Sequence, residues 1–139
     1  MDLFLLFNLF AAGFAGATMG SFLLTTLLYN ALLKKPKNLN DSLYIYRRLY
    51  RLNTVLCLLA GVCAALTNNI SAAFMLAILS VSYVFNHAHI LKGIRKACNK
   101  DYQVQNPGNY RSLSSLQNLM HLAQFSGAAY AIYLLAIPA

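Results

Sequence analysis

The stretch of residues 3–33, LFLLFNLFAAGFAGATMGSFLLTTLLYNALL, contains no charged side chain. At about 1.5 Å per residue, a helix of this length reaches roughly 45 Å, which exceeds the bilayer's hydrocarbon core of about 30 Å. A cleavable signal peptide would begin with positive charge and have a shorter apolar core. We therefore interpret the stretch as an uncleaved membrane span that tilts or projects beyond the bilayer.

Three further apolar blocks follow it, at residues 50–67, 71–92 and 112–137. In the whole chain 59% of the residues are apolar and 10% are charged. Soluble domains have about 25% charged residues, so this composition is not that of an ordinary soluble domain. We predict one domain, residues 1–139, folded as an all-α integral membrane protein. It should be an up-down-up-down bundle of four helices with both termini on the non-cytoplasmic side.

The basic residues decide the predicted orientation. All 11 Lys and Arg side chains fall in the segments 34–51 and 92–111. Because Lys and Arg in short loops stay on the cytoplasmic side, both segments should face the cytoplasm, or the matrix in an organelle. We expect a bacterial inner membrane or an organellar inner membrane. The net charge of +8 then faces anionic headgroups, and we expect no nucleic-acid partner.

Polar side chains in the third and fourth spans predict how these helices face each other. Those in the third span share one face by their spacing, and those in the fourth form a stripe three turns long. Because polar groups avoid lipid, the two stripes should meet, with Asn86 level with Gln117 and Asn118. Leucine at Asn118 should then cost more than leucine at Gln124, which lies deeper. The stripes consist of Ser82, Asn86 and His89, and of Ser114, Gln117, Asn118, His121 and Gln124.

The two stripes predict a polar pocket in the cytoplasmic half of the bundle for a flat or amphipathic ligand, which could be haem, a quinone or a lipid headgroup. The alternative is that these amides and hydroxyls only bond neighbouring helices. We predict no catalytic residue, because the spans contain no Asp or Glu, and no metal site, because two histidines have no carboxylate or thiolate beside them. The candidate ligand-binding residues are Asn86, His89, Ser114, Gln117, Asn118 and His121, with Arg47, Arg48, Arg51 and Arg111 for an anionic end.

Small residues recur every fourth position in the first span, at Ala12, Gly16 and Gly20, and again at Gly127 and Ala131 in the fourth. In lipid, helices associate where small residues let their backbones approach, so we predict packing surfaces here. The primary functional prediction is an interaction protein, namely an accessory or structural subunit of a larger membrane complex. Its predicted partners are membrane lipids and other membrane subunits or a second copy of the chain.

The fourth span also resembles a known family. Residues 110–119, YRSLSSLQNL, are similar to the last-span pattern H-G-L-S-S-L-x-N-L of the transmembrane protein 205-like family, a group of small membrane proteins of unknown function. Asn86 and Leu91 are similar to its third-span pattern. Arg111 stands where that family has histidine, and the family's prolines after Leu49 and Leu91 are absent here. The resemblance implies a four-span fold without implying an activity.

A second resemblance concerns residues 12–17, AGFAGA, together with Tyr46, Arg47 and Arg48. These segments look like parts of the anthrone-oxygenase-like family of four-span membrane proteins, some of which are implicated in the oxidation of polycyclic substrates. A membrane enzyme of oxygenase type is therefore a further functional alternative. That family's last-span H-x-x-R-T motif is absent from this chain.

Overall fold

The computed structural model describes residues 2–32 and 39–137, with the side chains of residues 2–27 and 40–137. The lysines of segment 34–37 lie outside the described residues. Within them, four helices are long and apolar enough to cross a membrane, and the all-α prediction is confirmed. The third of these is continuous from Ile70 to Lys96 and contains a π-helical turn. The elements are α1 (Leu3–Leu32), α2 (Leu39–Leu66), α3 (Ile70–Phe85), the π turn (Asn86–Ile90), α4 (Leu91–Lys96) and α5 (Pro107–Ala136).

Large apolar side chains cover the outer surface of these helices. Leu27 of α1, Phe74 and Val81 of α3 and Leu122 of α5 are 65% to 68% exposed. On α2, Val62 is similarly open. In water such a surface would be an aggregation site, whereas in hydrocarbon it lies in a matching environment. The surface therefore fits an integral membrane protein.

Two asparagines form the turn between α2 and α3. Asn68 has a left-handed φ of 58°, which an asparagine tolerates better than most residues do. Asn69 then caps α3, because its side chain accepts a hydrogen bond from the backbone N–H of Ala72 at 3.2 Å. The two adjacent asparagines therefore account for both the tight turn and the start of α3.

The described helices extend beyond the apolar blocks from which they were predicted. Asn106 accepts a hydrogen bond from the Asn109 backbone N–H at 3.2 Å and caps α5. Pro107 takes the first helical position, where its missing N–H is not needed. α5 thus begins at Pro107, ahead of the apolar block at 112–137, and α2 begins at Leu39, ahead of the apolar block at 50–67. Hydropathy misses these turns because they are polar.

The small residues of α1 do not all face the bundle. Ala11 and Ala15 are fully buried against it. A Cβ placed on Gly16 or Gly20 would meet no described atom within 4 Å. The predicted stripe from Ala12 to Gly20 is therefore not the inner packing face of α1, because the alanines one position earlier occupy that face.

Gly127 of α5, by contrast, packs closely against α3. A Cβ here would lie 2.9 Å from Leu79 Cδ2 and 3.1 Å from Met75 Cε. We expect Gly127→Val to lower the free energy of unfolding by about 1 to 2 kcal/mol, because the added methyl groups overpack this contact. Gly16→Val is the matched control and should change it by less than about 0.5 kcal/mol. Unfolding by SDS in mixed micelles measures both, and equal losses would contradict the packing.

The π turn at Asn86–Ile90 changes which residues of the third helix face inward. The backbone N–H of Leu91 donates to the Asn86 carbonyl, five residues earlier, so the turn holds one residue more than an α-helical turn. As a result Asn86 and Ile90 are both buried, while His89 is exposed. The prediction that His89 shares a face with Asn86 is wrong, because it assumed regular α-helical spacing.

Candidate functional site

Tyr50 is the centre of a buried polar cluster between α2 and α5. Its hydroxyl oxygen accepts a hydrogen bond from Gln117 Nε2 at 2.7 Å, and the same hydroxyl bonds to His121 Nε2. The Tyr46 ring stacks on the His121 imidazole with centroids 5.4 Å apart, and the Phe22 ring of α1 meets it edge-on at 4.9 Å. Gln117 and His121, two of the predicted site residues, are thus brought together as buried side chains.

Two tautomers of His121 are compatible with this cluster, because a tyrosine oxygen can accept two hydrogen bonds and the hydroxyl can also donate one. When the Tyr50 proton goes to His121 Nε2, the imidazole proton lies on Nδ1, which has no partner among the described residues. In that tautomer His121 keeps one N–H donor.

A groove of about 530 Å³ lies beside His121, between α1, α2 and α5. Two of its rings, Phe22 and Phe125, have centroids 6.4 Å apart. Leu122 on its wall is exposed on the apolar outer surface, so the groove opens sideways. Aromatic walls with a few polar groups are typical of sites for small lipid-soluble molecules. The lining residues are Phe22, Leu23, Thr26, Tyr46, Asn118, His121, Leu122 and Phe125.

A second buried network joins the helices without reaching the groove. Asn86 Nδ2 donates to Gln124 Oε1 at 3.2 Å, and Gln124 Nε2 donates to Ser82 Oγ at 3.0 Å. On the α1 side, Ser21 Oγ donates to Asn53 Oδ1 at 2.8 Å. Among the described residues, Asn86 Oδ1 and Asn53 Nδ2 are buried with no partner at hydrogen-bond distance. Asn86 therefore links the third helix to α5 by a hydrogen bond. This is the alternative to ligand binding that the sequence analysis left open for these polar groups.

The polar stripes of the third helix and α5 meet in a register that differs from the predicted one. Asn86 bonds to Gln124, whereas Asn118 is exposed and lines the groove. A Cβ on Gly93 would meet Leu113. If the basic residues that flank the two helices lay at the same depth, Gly93 would instead face a residue about one turn before Leu113 on α5. Charged side chains reach toward water from different depths, so they mark the depth of a helix only to within about a turn.

Most of the other predicted site residues are dispersed over the bundle. Arg111 and Ser114 line a separate cleft of about 390 Å³ at the start of α5. The Arg48 guanidinium lies over the Tyr44 ring, 4.6 Å from its centroid. The four predicted arginines belong to α2 and to the start of α5, and none of them lines the groove. A single site formed by all ten residues stays a prediction. The predicted residues that do not line the groove are Asn86, His89, Ser114, Gln117, Arg47, Arg48, Arg51 and Arg111.

The groove does not fit a haem with two histidine ligands. The Tyr50 hydroxyl already bonds to His121 Nε2, and neither His87 nor His89 lines the groove. In the part of the chain that the structure describes, no group of three or more His, Cys, Asp and Glu side chains could hold a metal ion. The groove can instead bind a molecule through its shape, its rings and its hydrogen-bond donors.

Sequence reasoning missed the aromatic side chains that build the cluster and the groove. Tyr46, Tyr50 and Asn53 recur four and three residues apart on α2, the same kind of spacing that identified the stripe on α5. Tyrosine is also common at membrane interfaces, so spacing alone does not separate a buried hydroxyl from an interfacial one. Phe22 gave no signal, because it is one apolar residue in an apolar span.

The chemistry of the groove has to be inferred from its own residues. Comparisons of the chain with protein-family models, with curated proteins and with solved structures found no match. The resemblances to the transmembrane protein 205-like and anthrone-oxygenase-like families therefore stay predictions.

Proposed function

We propose that this protein binds a flat, lipid-soluble molecule of the quinone class in the groove beside His121. The observation that carries the proposal is the groove itself, which combines aromatic walls with the imidazole of His121. A quinone carbonyl oxygen accepts hydrogen bonds and has no proton to give. It therefore matches His121 in the tautomer with its proton on Nδ1, which is part of the proposal.

The shape of the groove and its donors would select the ligand. A molecule dissolved in the bilayer gains little hydrophobic energy on entering, because lipid tails are as apolar as the groove walls. Stacking against Phe22, Tyr46 and Phe125, at about 0.5 to 1.5 kcal/mol for each aromatic pair, and hydrogen bonds from His121 and Asn118 then decide affinity. The sideways opening allows entry directly from the lipid.

The proposal includes the up-down-up-down order of the helices. Thr67 Oγ1 donates to Asn8 Oδ1 at 2.9 Å, so the end of α2 lies beside the beginning of α1. Asn69 Nδ2 donates to the Leu134 carbonyl at 2.9 Å, so the beginning of α3 lies beside the end of α5. These contacts support alternating directions. With the basic segments on the cytoplasmic or matrix side, the groove would lie in the half of the bundle nearest that side.

We expect decylubiquinone to raise the midpoint of thermal unfolding of the protein in dodecyl maltoside, and to do so saturably. Thr26→Phe should abolish the increase, because the larger side chain fills the groove. Asn118→Leu should weaken binding about three-fold to ten-fold through the loss of one hydrogen bond. Circular dichroism at increasing quinone concentration measures both effects.

Thr25→Phe is the matched control for Thr26→Phe. It makes the same change one residue earlier on α1, at a half-buried position outside the groove lining. This variant should keep the full increase in midpoint. An equal increase in Thr26→Phe, or a Soret band in the purified protein, would contradict the proposal.

The accessory-subunit role and the oxygenase-like alternative stay predictions from the sequence. No described atom lies within 4 Å of a Cβ placed on Gly16 or Gly20 of α1. A partner helix could therefore approach α1 closely at this face. A quinone site is compatible with such a role, since a small subunit can hold a ligand beside its partner.

A further inference from the structure

We propose that Arg47, Arg51, His87 and Lys92 form a binding site for the phosphate headgroup of an anionic phospholipid. Arg47 and Arg51 lie one turn apart on α2, His87 lies in the π turn, and Lys92 lies on α4. The site is separate from the groove and does not depend on what the groove binds.

One hydrogen bond between two side chains determines which of their N–H groups remain available as donors at this site. Arg51 Nε donates to His87 Nε2 at 3.3 Å, so this nitrogen is an acceptor and the imidazole proton lies on Nδ1. The two Nη groups of Arg51 and the Nδ1–H of His87 then have no partner among the described residues. The bond from Nε thus leaves both Nη groups of Arg51 available where α2 meets the π turn, and such paired donors suit the oxygens of a phosphate group.

The charges around His87 all have the same sign. Arg47, Arg51 and Lys92 act electrostatically on its ring, and within the described residues no carboxylate does so. All three cations are exposed, so a ligand can reach them. Like charges held close together repel, and an anion placed between them converts the repulsion into attraction. The electrostatics therefore favour an anionic ligand.

A free phosphate ion would share this chemistry, but the surroundings favour a lipid. Along α2, apolar residues follow Arg51 at intervals of three and four positions and continue the same face. On α3, another apolar side chain precedes His87 by one turn. These side chains are half-exposed or more, and they extend from the cation cluster into the apolar surface along which an acyl chain can lie. They are Val55, Leu58, Val62 and Val84.

The test titrates the full chain in detergent with dioleoyl phosphatidylglycerol and follows bound lipid by native mass spectrometry. Arg51→Gln should weaken binding about five-fold, and Arg47→Gln with Arg51→Gln roughly thirty-fold, because each surface cation contributes about a factor of five. Dioleoyl phosphatidylcholine should bind at least five-fold more weakly than phosphatidylglycerol. Inorganic phosphate at millimolar concentration should not compete with the lipid.

Arg48→Gln is the matched control, because it removes the same charge from a neighbouring position on α2, and Arg48, which lies over the Tyr44 ring, is not among the charges that act on His87. It should change the affinity less than two-fold. A loss of affinity equal to that of Arg51→Gln would mean that the lipid binds to diffuse surface charge, and it would overturn the proposed site. Full competition by inorganic phosphate would overturn the lipid assignment. Unchanged unfolding midpoints in lipid-free detergent verify that the variants fold, and Arg51→Lys, which keeps the charge, should recover part of the binding.

Discussion

Replacing Tyr50 with phenylalanine should lower the free energy of unfolding by about 2 to 4 kcal/mol, although it removes a single oxygen atom. The Tyr50 hydroxyl accepts a hydrogen bond from Gln117 and bonds to His121, and all three side chains are buried. Without it, each partner keeps a buried polar atom that cannot reach water, at about 1 to 3 kcal/mol per atom. Equilibrium unfolding by SDS in mixed micelles, followed by circular dichroism, measures the loss.

Tyr44→Phe is the matched control, because it removes a hydroxyl from the same helix at an exposed position. It should change the free energy of unfolding by less than about 0.5 kcal/mol. The double variant Tyr50→Phe with Gln117→Leu should lose less than the sum of the two single variants, since the partner is removed together with the hydroxyl. Similar small losses for Tyr50→Phe and Tyr44→Phe would mean that the cluster does not form.

Gln124→Leu should cost about 2 to 3 kcal/mol, whereas Asn118→Leu should be neutral or slightly stabilising. Gln124 bonds both Asn86 and Ser82, so its removal takes away the acceptor of the Asn86 amide, whose Oδ1 already has no partner among the described residues. Orphaning a buried amide carries the full desolvation penalty. Asn118 is exposed at the groove, where leucine suits lipid better than asparagine does.

The sequence alone predicts the opposite order for these two variants. The same SDS unfolding measurement therefore distinguishes the observed register of the third helix and α5 from the one inferred from charge positions. Because both variants replace an amide with leucine on the same helix, each serves as the control for the other. A loss at Asn118 as large as the loss at Gln124 would contradict the bond between Asn86 and Gln124.

The four long helices could be predicted because each apolar block has about the length that a membrane span needs. The start of α5 could not be predicted, since its added turns from Pro107 are polar and depend on the capping side chain of Asn106. The turn at Asn68 and Asn69 was predictable, because asparagine combines tolerance of left-handed backbone with capping ability. Local chemistry therefore explains the successes in this part of the fold.

The site was predicted only in part. His121 and Asn118 of the polar stripe on α5 do line the groove, and Gln117 supports His121 through Tyr50. The stripe was visible because amides and imidazoles are rare in a span and recur with helical spacing. The prediction for His89 was wrong because no feature of the surrounding sequence indicates a π turn.

The sequence by itself determined that four helices form and that their outer surface is apolar. Hydropathy and length act within one segment, so they need no knowledge of the neighbours. Only the tertiary structure decided that Tyr50 joins Gln117 to His121, that Asn86 meets Gln124, and that the open face of α1 carries Gly16. These pairings depend on the register and rotation of whole helices, which result from close contacts such as Gly127 against Leu79 and from the extra residue of the π turn.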